Sequence, residues 1–482
     1  MKKIPPTPSA RPATPIPVGF RITLDRGTRE VAPGVWSGGT PARVVRLTAA
    51  GNAVWRRLAT DPVDSAAAAT LARRLTDSGL AHPCPPPVAA GTADVTIVIP
   101  VRDRVAFLDR CLAALDVDGP YPVIVVDDGS RDPDAVAAVA AAHRATLVRR
   151  PTNGGPAAAR NTGLDGVTTE LVAFVDSDCV PGPGWIDALA GHFADPMVAA
   201  VAPRITATES TVVGFGMAGL DLGGDPARVA PRTRLSYVPT AALVARRRAL
   251  LAVARPSGVF DPALRVGEDV DLVWRLHEGG WRIRYDPTVR VGHHEPATWP
   301  ALLARRMSYG TSAAPLALRH PDSIPPLVVD PWPALTVAAL LSRRPIAAVG
   351  AFAAAVFTTR RTLQAHGLPT ADAWRVNADA VAKTWLGVGR YATQYAAPLL
   401  LAALLRGGRT PGGRRAAAAS LLVGPGLVTW AARSETSPLR FVTAAIADDI
   451  AYGAGVWAGC ARHRTIAPLR PIVRRSGKRG TP

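Results

Sequence analysis

Phe174-Val175-Asp176-Ser177-Asp178-Cys179 closes an apolar run that begins at Leu171. A short, partly β-branched run of this kind reads as a buried parallel strand. Asp176 and Asp178 then fall at its carboxyl end, where open α/β sheets bind ligands. Residues two apart on a strand project to one side, and the local sequence supplies no cation to pair with them. Two carboxylates so placed make a hard-oxygen site suited to Mg2+ or Mn2+, and such a metal can hold a diphosphate. Taken alone, the same residues also describe an aspartate-rich turn capping the next element.

The flanking sequence alternates between strand and helix patterns. Val95 to Ile99 is a continuous apolar strand stopped by Pro100, and Phe107, Leu108, Cys111, Leu112 and Leu115 mark one helical face. Val123 to Val126 is the next strand and runs into Asp127-Asp128-Gly129-Ser130. Asp132 and Pro133 then form an N-cap and first-turn pair for a helix. Thr146 to Val148 is a third strand, Asn153-Gly154-Gly155-Pro156 a turn, and Ala157 to Leu164 a short helix. This order predicts an α/β domain with a parallel sheet covered by helices on both faces. No G-x-G-x-x-G follows the first strand and no P-loop is present, so dinucleotide and P-loop chemistry are unsupported.

Farther on, Gly267-Glu268-Asp269-Val270-Asp271-Leu272 opens a helix with three carboxylates. Acidic residues suit a helix N-terminus for structural reasons alone, and Arg275 is placed to pair with them. His293 and His294 follow a strand predicted over Thr288 to Val291. One of them is a candidate further metal ligand or diphosphate contact; a structural pair is the alternative. Trp281 and Trp299 are read as packing residues, with sugar stacking as the other option.

T-I-V-I-P-V-R-D-R, V-V-D-D-G-S, N-G-G-P-A-A-A-R-N-T-G, V-D-S-D and G-E-D-V-D-L-V-W-R-L occur in that order. Together they resemble glycosyltransferase family 2 of the GT-A fold, over about Val95 to Glu295. Each motif is weak singly; five in order are specific. The resemblance implies a UDP-sugar donor and inversion at the anomeric carbon. It also implies that Pro100 and Arg102 flank the uracil, although the usual aromatic is absent at Arg102. Asp128 would accept from the uracil N–H, Arg160 would approach the base or diphosphate, and Asp176 would meet the ribose. Asp178 would ligate the metal, and Asp269 would be the catalytic base with Glu268 beside it. Inversion needs such a base to take the acceptor hydroxyl's proton.

Before this domain lies a proline-rich arm (1–17), expected to be poorly ordered, and a unit of strands and helices (18–82). Phe20 to Leu24 and Arg43 to Leu47 read as strands, Thr48 as a helix cap, and Gly79 as the end of a helix bearing Leu71 and Leu75. The unit resembles a winged helix. Arg56, Arg57, Arg73 and Arg74 would serve DNA binding. It also resembles the small domains of ribosomal-peptide maturation systems that add a leader peptide to an exposed sheet edge, and peptide or partner binding is the favoured of the two. A stiff proline linker (83–93) leads into the α/β domain (94–326).

The C-terminal region (327–469) is rich in Ala, Leu and Val and is expected to be helical, ending in a basic tail (470–482). Its apolar runs are broken by Arg343-Arg344, Arg406, Pro425 and Asp448-Asp449, so none is a clean span of the length a bilayer requires. Arg360, Arg361, Arg414 and Arg415 flank the runs. Membrane helices and a soluble or interfacial bundle both fit. Either leaves the active site in the cytoplasm or at the cytoplasmic face of the membrane.

The chain has 482 residues and a formal net charge of +19. The charge is mostly arginine in an Ala- and Pro-rich composition, and no basic tract is interleaved with aromatics, so nucleic acid is not an expected partner. Four scattered cysteines form no C-x-x-C pair, and no apolar signal segment follows Lys2 and Lys3. The whole layout resembles family members that add β-1,4-linked glucose from UDP-glucose to a redox cofactor precursor made from a ribosomal peptide. A cell-envelope polysaccharide or lipid transferase is the alternative.

Overall fold

The computed structural model describes residues 14–473 apart from 90, 118, 120, 209–219, 322, 324–326, 366, 406–410 and 434–436. Most of the proline-rich arm, most of the basic tail and Arg406 therefore lie outside the described residues. The chain forms two compact units, the first reaching Glu295 and the second beginning at Pro296.

The first unit opens with β1 (Arg21–Leu24), β2 (Arg29–Ala32), β3 (Val35–Gly38), β4 (Arg43–Arg46), α1 (Ala49–Leu58), α2 (Ala66–Ser78) and β5 (Ala81–Cys84). β1 pairs antiparallel with β5, and β2-β3-β4 form a separate antiparallel sheet. Thr48 caps α1 by accepting from the Gly51 N–H, Ser65 caps α2 in the same way, and left-handed Gly79 ends α2. Phe20, Ile22, Trp55, Leu58, Leu75 and Leu80 fill the core between sheet and helices. The β2–β3 hairpin escapes sequence analysis because its strands are four residues each, too short for a clear alternation. Pro83 and Cys84, assigned above to the linker, belong to β5.

The α/β domain continues with β6 (Val95–Val101), α3 (Val105–Asp116), β7 (Val123–Asp128), α4 (Pro133–Ala142), β8 (Thr146–Arg150), α5 (Pro156–Asp165), β9 (Leu171–Val175), β10 (Cys179–Pro181) and α6 (Trp185–Ala190). β11 (Val198–Ala207), β12 (Ala227–Val229), β13 (Ala242–Arg246), α7 (Arg247–Ala252), α8 (Glu268–Glu278) and β14 (Arg282–His293) complete it. The nine-stranded sheet runs β10-β14-β11-β13-β9-β6-β7-β8, with β12 on β14. β9, β6, β7 and β8 are parallel as expected, but β13 lies antiparallel between β9 and β11, so the sheet is mixed. A parallel neighbour requires a long crossover, usually a helix. Among the described residues none lies between β11 and β13, and the chain returns in the opposite sense. The parallel half sets the carboxyl ends of β6, β7 and β9 side by side.

The second unit is helical: α9 (Trp299–Thr311), α10 (Ala313–Arg319), α11 (Pro331–Leu341), α12 (Pro345–Ala365), α13 (Ala373–Leu405), α14 (Pro411–Arg433) and α15 (Pro438–His463). α9 and α10, grouped above with the α/β domain, pack in this unit. Pro398 lies in α13 two residues past a break at Ala396. α12 has the length and composition to cross a membrane and is the one such helix among the described residues. Ile346, Val349 and Phe357 on it are exposed.

α15 meets α9 and α13 through glycine. A methyl group on Gly455 would collide with the Met307 carbonyl, and one on Gly453 with the Gln394 carbonyl. Gly350 on α12 has open space around it. Gly455→Ala is therefore expected to destabilise the protein by about 1–3 kcal/mol, while Gly350→Ala stabilises it by up to about 1 kcal/mol. Thermal unfolding of the full-length variants checks both signs.

Candidate active site

β9 ends at Val175, and Asp176 to Asp178 form a turn into β10 rather than the tip of a straight strand. The backbone N–H of Asp176 donates to Ala241 at 2.9 Å, and the N–H of Cys179 donates back to Asp176 at 2.9 Å. In this turn the two carboxylates take different partners. Asp176 is partly exposed and accepts from Arg160 Nη2 at 2.6 Å. Asp178 is buried and is paired with Arg104, which comes from the loop after β6. The absence of a local cation, argued from sequence, is thus made good from elsewhere in the chain, twice.

Asp178 also faces a histidine. β10 pairs antiparallel with β14, setting Cys179 opposite His293. His293 Nε2 stands 3.7 Å from Asp178 Oδ1, while its Nδ1 lies 3.1 Å from Glu295 Oε1. A carboxylate behind a histidine fixes which ring nitrogen faces forward, the arrangement that orients metal-binding imidazoles. His294 turns away, its Nδ1 3.1 Å from Thr208 Oγ1 and its ring against Phe107. Of the two histidines, His293 is the one aimed at Asp178.

No three His, Cys, Asp or Glu side chains gather to hold a metal among the described residues. Asp178 and His293 supply one oxygen and one nitrogen, a donor pair that fits Mn2+ or Mg2+ when the remaining positions are filled by a diphosphate and water. Arg104, which pairs with Asp178, is itself about half exposed, 45% by side chain. Cys111 and Cys179 lie close by. Burial first, and then the Asp176 and Asp178 charges, push both thiols upward, so they stay protonated and are poor ligands.

Arg160, on α5, connects this turn to α8. Its guanidinium is buried, donates to Asp176, and donates from Nη1 to Glu268 Oε1 at 2.7 Å. Burial opposes its charge, but Asp176 and Glu268 outweigh burial and raise its pKa. Its Nη1 and Nη2 are thus engaged by Glu268 and Asp176, while Nε is buried without a hydrogen-bond partner.

The three carboxylates that open α8 are equivalent in sequence and unlike in the fold. Asp271 is fully buried and held by Arg275 at 2.7 Å and Arg255 at 3.6 Å, a structural role. Glu268 is buried against Arg160, and burial raises its pKa despite that partner. Asp269 remains partly exposed, with one oxygen accepting the Val270 N–H at 2.8 Å. Burial, then the Glu268 charge, push Asp269 up to about 7. It is therefore the one carboxylate of the three both open to a substrate and poised near neutrality to take a proton.

Asp128, at the end of β7, is buried. It accepts from Arg150 Nε at 2.8 Å and from the Gly154 and Gly155 N–H groups at 2.9 and 2.7 Å. It thereby pins the Asn153-Gly154-Gly155 turn beside the Asp127–Ser130 loop. Gly129 between them has φ +72, and a Cβ there would stand 2.9 Å from the Asn153 nitrogen, so the close approach requires glycine. Pro100 does not stop β6, as expected from sequence, but lies inside it and partly exposed, with Val101 as the last residue; Arg102 projects outward, 3.8 Å from Asp103. Sequence reasoning missed Arg104 and Arg150. Both lie in or beside the quoted motifs, but their partners are 74 and 22 residues away, and only the sheet brings them together.

Comparison with known proteins identifies the family. The family model described as glycosyl transferase family 2 matches residues 96–251. A pre-mycofactocin glycosyltransferase of Mycobacterium tuberculosis is 38% identical over 488 residues, covering 96% of this chain and 99% of that protein. The O-antigen biosynthesis protein RfbC of Myxococcus xanthus is 29% identical over 234 residues, 43% of this chain and 18% of its own length. Among solved structures, the mannosyltransferase PcManGT from Pyrobaculum calidifontis, in complex with GDP-Man and Mn2+, aligns with TM-score 0.45 and 21% identity, over 77% of this chain and 89% of that one. With a relative of that identity spanning nearly its whole length, the chain belongs to glycosyltransferase family 2 and is a hexosyltransferase of the GT-A fold.

Proposed function

We propose that this enzyme moves glucose from UDP-glucose, with inversion and in β-1,4 linkage, onto a redox cofactor precursor of the mycofactocin type made from a ribosomal peptide. The acceptor follows the relative named above, and the bond chemistry follows the site. What supports the chemistry is the Arg160 bridge, which joins the carboxylate after β9 to those opening α8 in one hydrogen-bonded group. Asp269 takes the proton of the acceptor hydroxyl as its oxygen attacks the anomeric carbon and UDP departs on the opposite side. Glu268, paired with Arg160, keeps α8 in place. Asp176 meets the ribose, while Asp128, Pro100 and Arg102 form the uracil side. Asp178 and His293 would hold a divalent cation, which when bound neutralises the diphosphate as its charge grows. The N-terminal unit receives the leader peptide or a pathway protein at a sheet edge.

A second function has its own support. α11 to α14 surround an apolar cavity of about 950 Å3 lined by Val337, Leu341, Phe352, Val381 and Trp385 among others. That feature and the exposed face of α12 favour a lipid-linked acceptor in cell-envelope synthesis, with the enzyme at the cytoplasmic face of the membrane. Transfer assays with the peptide-derived precursor against polyprenyl phosphate decide between the two. Glucose appearing only on the lipid sinks the first.

Asp269→Asn is expected to lower kcat by about 10²–10⁴-fold, with KM for the UDP-sugar little changed. Wild-type kcat/KM should rise with pH through about 7 and then level, because only the ionised Asp269 accepts a proton. Stability runs the other way. A carboxyl raised in the folded state contributes fully below the ordinary aspartate range, and that contribution is lost as pH climbs through about 7. The melting midpoint of Asp269→Asn should therefore gain on wild type from pH 4 to pH 8.

EDTA should abolish UDP release from UDP-glucose and Mn2+ restore it. Glu295→Gln, which frees the His293 ring, should weaken Mn2+ binding about 10–100-fold when titrated by electron paramagnetic resonance with UDP present. Full release in EDTA, or unchanged Mn2+ binding, contradicts the metal assignment.

A further inference from the structure

α2 and β14 meet across an uneven count of charges. Arg73 and Asp77 come from α2, Arg282 and Arg284 from β14, Arg228 from β12, and Asp195 from the turn before β11. Asp77 accepts Arg282 through two bonds of 2.9 and 2.7 Å. Asp195 accepts Arg73 at 2.6 Å, and Arg228 donates to the Asp77 backbone carbonyl. Both carboxylates are then committed, and Arg284 has neither. It is 2% exposed, and its Nε, Nη1 and Nη2 are all buried without a hydrogen-bond partner. Arg73 Nη1, 3.8 Å from Asp77 Oδ1, and Arg228 Nε are also buried without a hydrogen bond.

Four guanidinium groups thus face two carboxylates, an excess of two positive charges. Asp25, at the start of the turn after β1, is engaged by His82 at 3.0 Å. Burial, followed by the neighbouring arginines, lowers His82 and His277, as a positive interior should. Burial also lowers Arg284, to about 10, which leaves it charged at neutral pH. A buried, unpaired cation of this kind is strongly destabilising unless an anion meets it.

We propose that an oxyanion of the phosphate or sulfate class binds between α2 and β14 against Arg284, tying the N-terminal unit to the α/β sheet. Unbonded N–H groups from three arginines call for an acceptor with several oxygens, and a guanidinium fork matches an oxyanion's geometry. A dianion also balances the excess charge. Inorganic phosphate, sulfate or the phosphate of a nucleotide would each offer this chemistry.

The test uses the full-length protein dialysed into sodium gluconate, then titrated at constant ionic strength with phosphate, sulfate, chloride or uridine monophosphate. Phosphate and sulfate are expected to raise the melting midpoint saturably, by about 2–4 °C. Arg284→Met should lose that rise while melting in gluconate no lower than wild type, because an unpaired buried charge has been removed. A wild-type midpoint indifferent to both oxyanions overturns the proposal, as does a rise that Arg284→Met retains. A response to chloride alone, or to the nucleotide alone, overturns the choice of a small oxyanion. Should the methionine variant fail to fold, phosphate released on denaturing wild-type protein equilibrated with phosphate and then desalted gives an independent reading. About one per chain supports the site, and none overturns it.

Discussion

One guanidinium holds the catalytic half of this protein in register. Arg160 is buried, and such a group is tolerated only when its charge is met by well-placed acceptors. Asp176 and Glu268 meet it from two directions, so α5, the turn after β9 and the start of α8 are fixed to one another by charge as well as by packing. Loss of both carboxylates would strand the cation, and an uncompensated buried charge costs about 3–5 kcal/mol. The same bridge shapes the chemistry. The positive charge of Arg160 only partly offsets the burial and the Glu268 charge that raise Asp269.

Strands that are buried on both faces read as unbroken apolar runs, and so β6, β7 and β9 were legible from composition alone, together with the acidic or glycine-rich segments that follow them. The mixed half of the sheet was not. β11 and β13 are apolar runs of the same kind, and nothing in such a run states which way it will lie against its neighbour. Site residues follow the same division. Asp176, Asp178, Glu268 and Asp269 stand out because carboxylates interrupt hydrophobic patterns. Arg104 and Arg150 do not stand out in an arginine-rich chain, and their importance comes from partners across the sheet. The inequality of Glu268, Asp269 and Asp271 is likewise a product of tertiary burial.

The C-terminal unit follows a different physical logic. Its helices carry alanine and glycine where they cross, so backbones approach closely and dispersion contacts replace large interlocking side chains. That leaves larger apolar residues such as Ile346, Val349 and Phe357 facing outward on α12.

The proline segment between β5 and β6 looks like a leash but does not act as one. The Gly91 N–H is held by Asp187 Oδ2 at 3.1 Å, and α2 is bound to the sheet through Arg73–Asp195 and Asp77–Arg282. The N-terminal unit therefore has a fixed bearing relative to the catalytic loops. Were the proposed leader peptide held there, it could not be swung toward the sugar; it would have to bring its own reach, and the number of residues between its anchored end and its reactive end would serve as a ruler for which hydroxyl arrives.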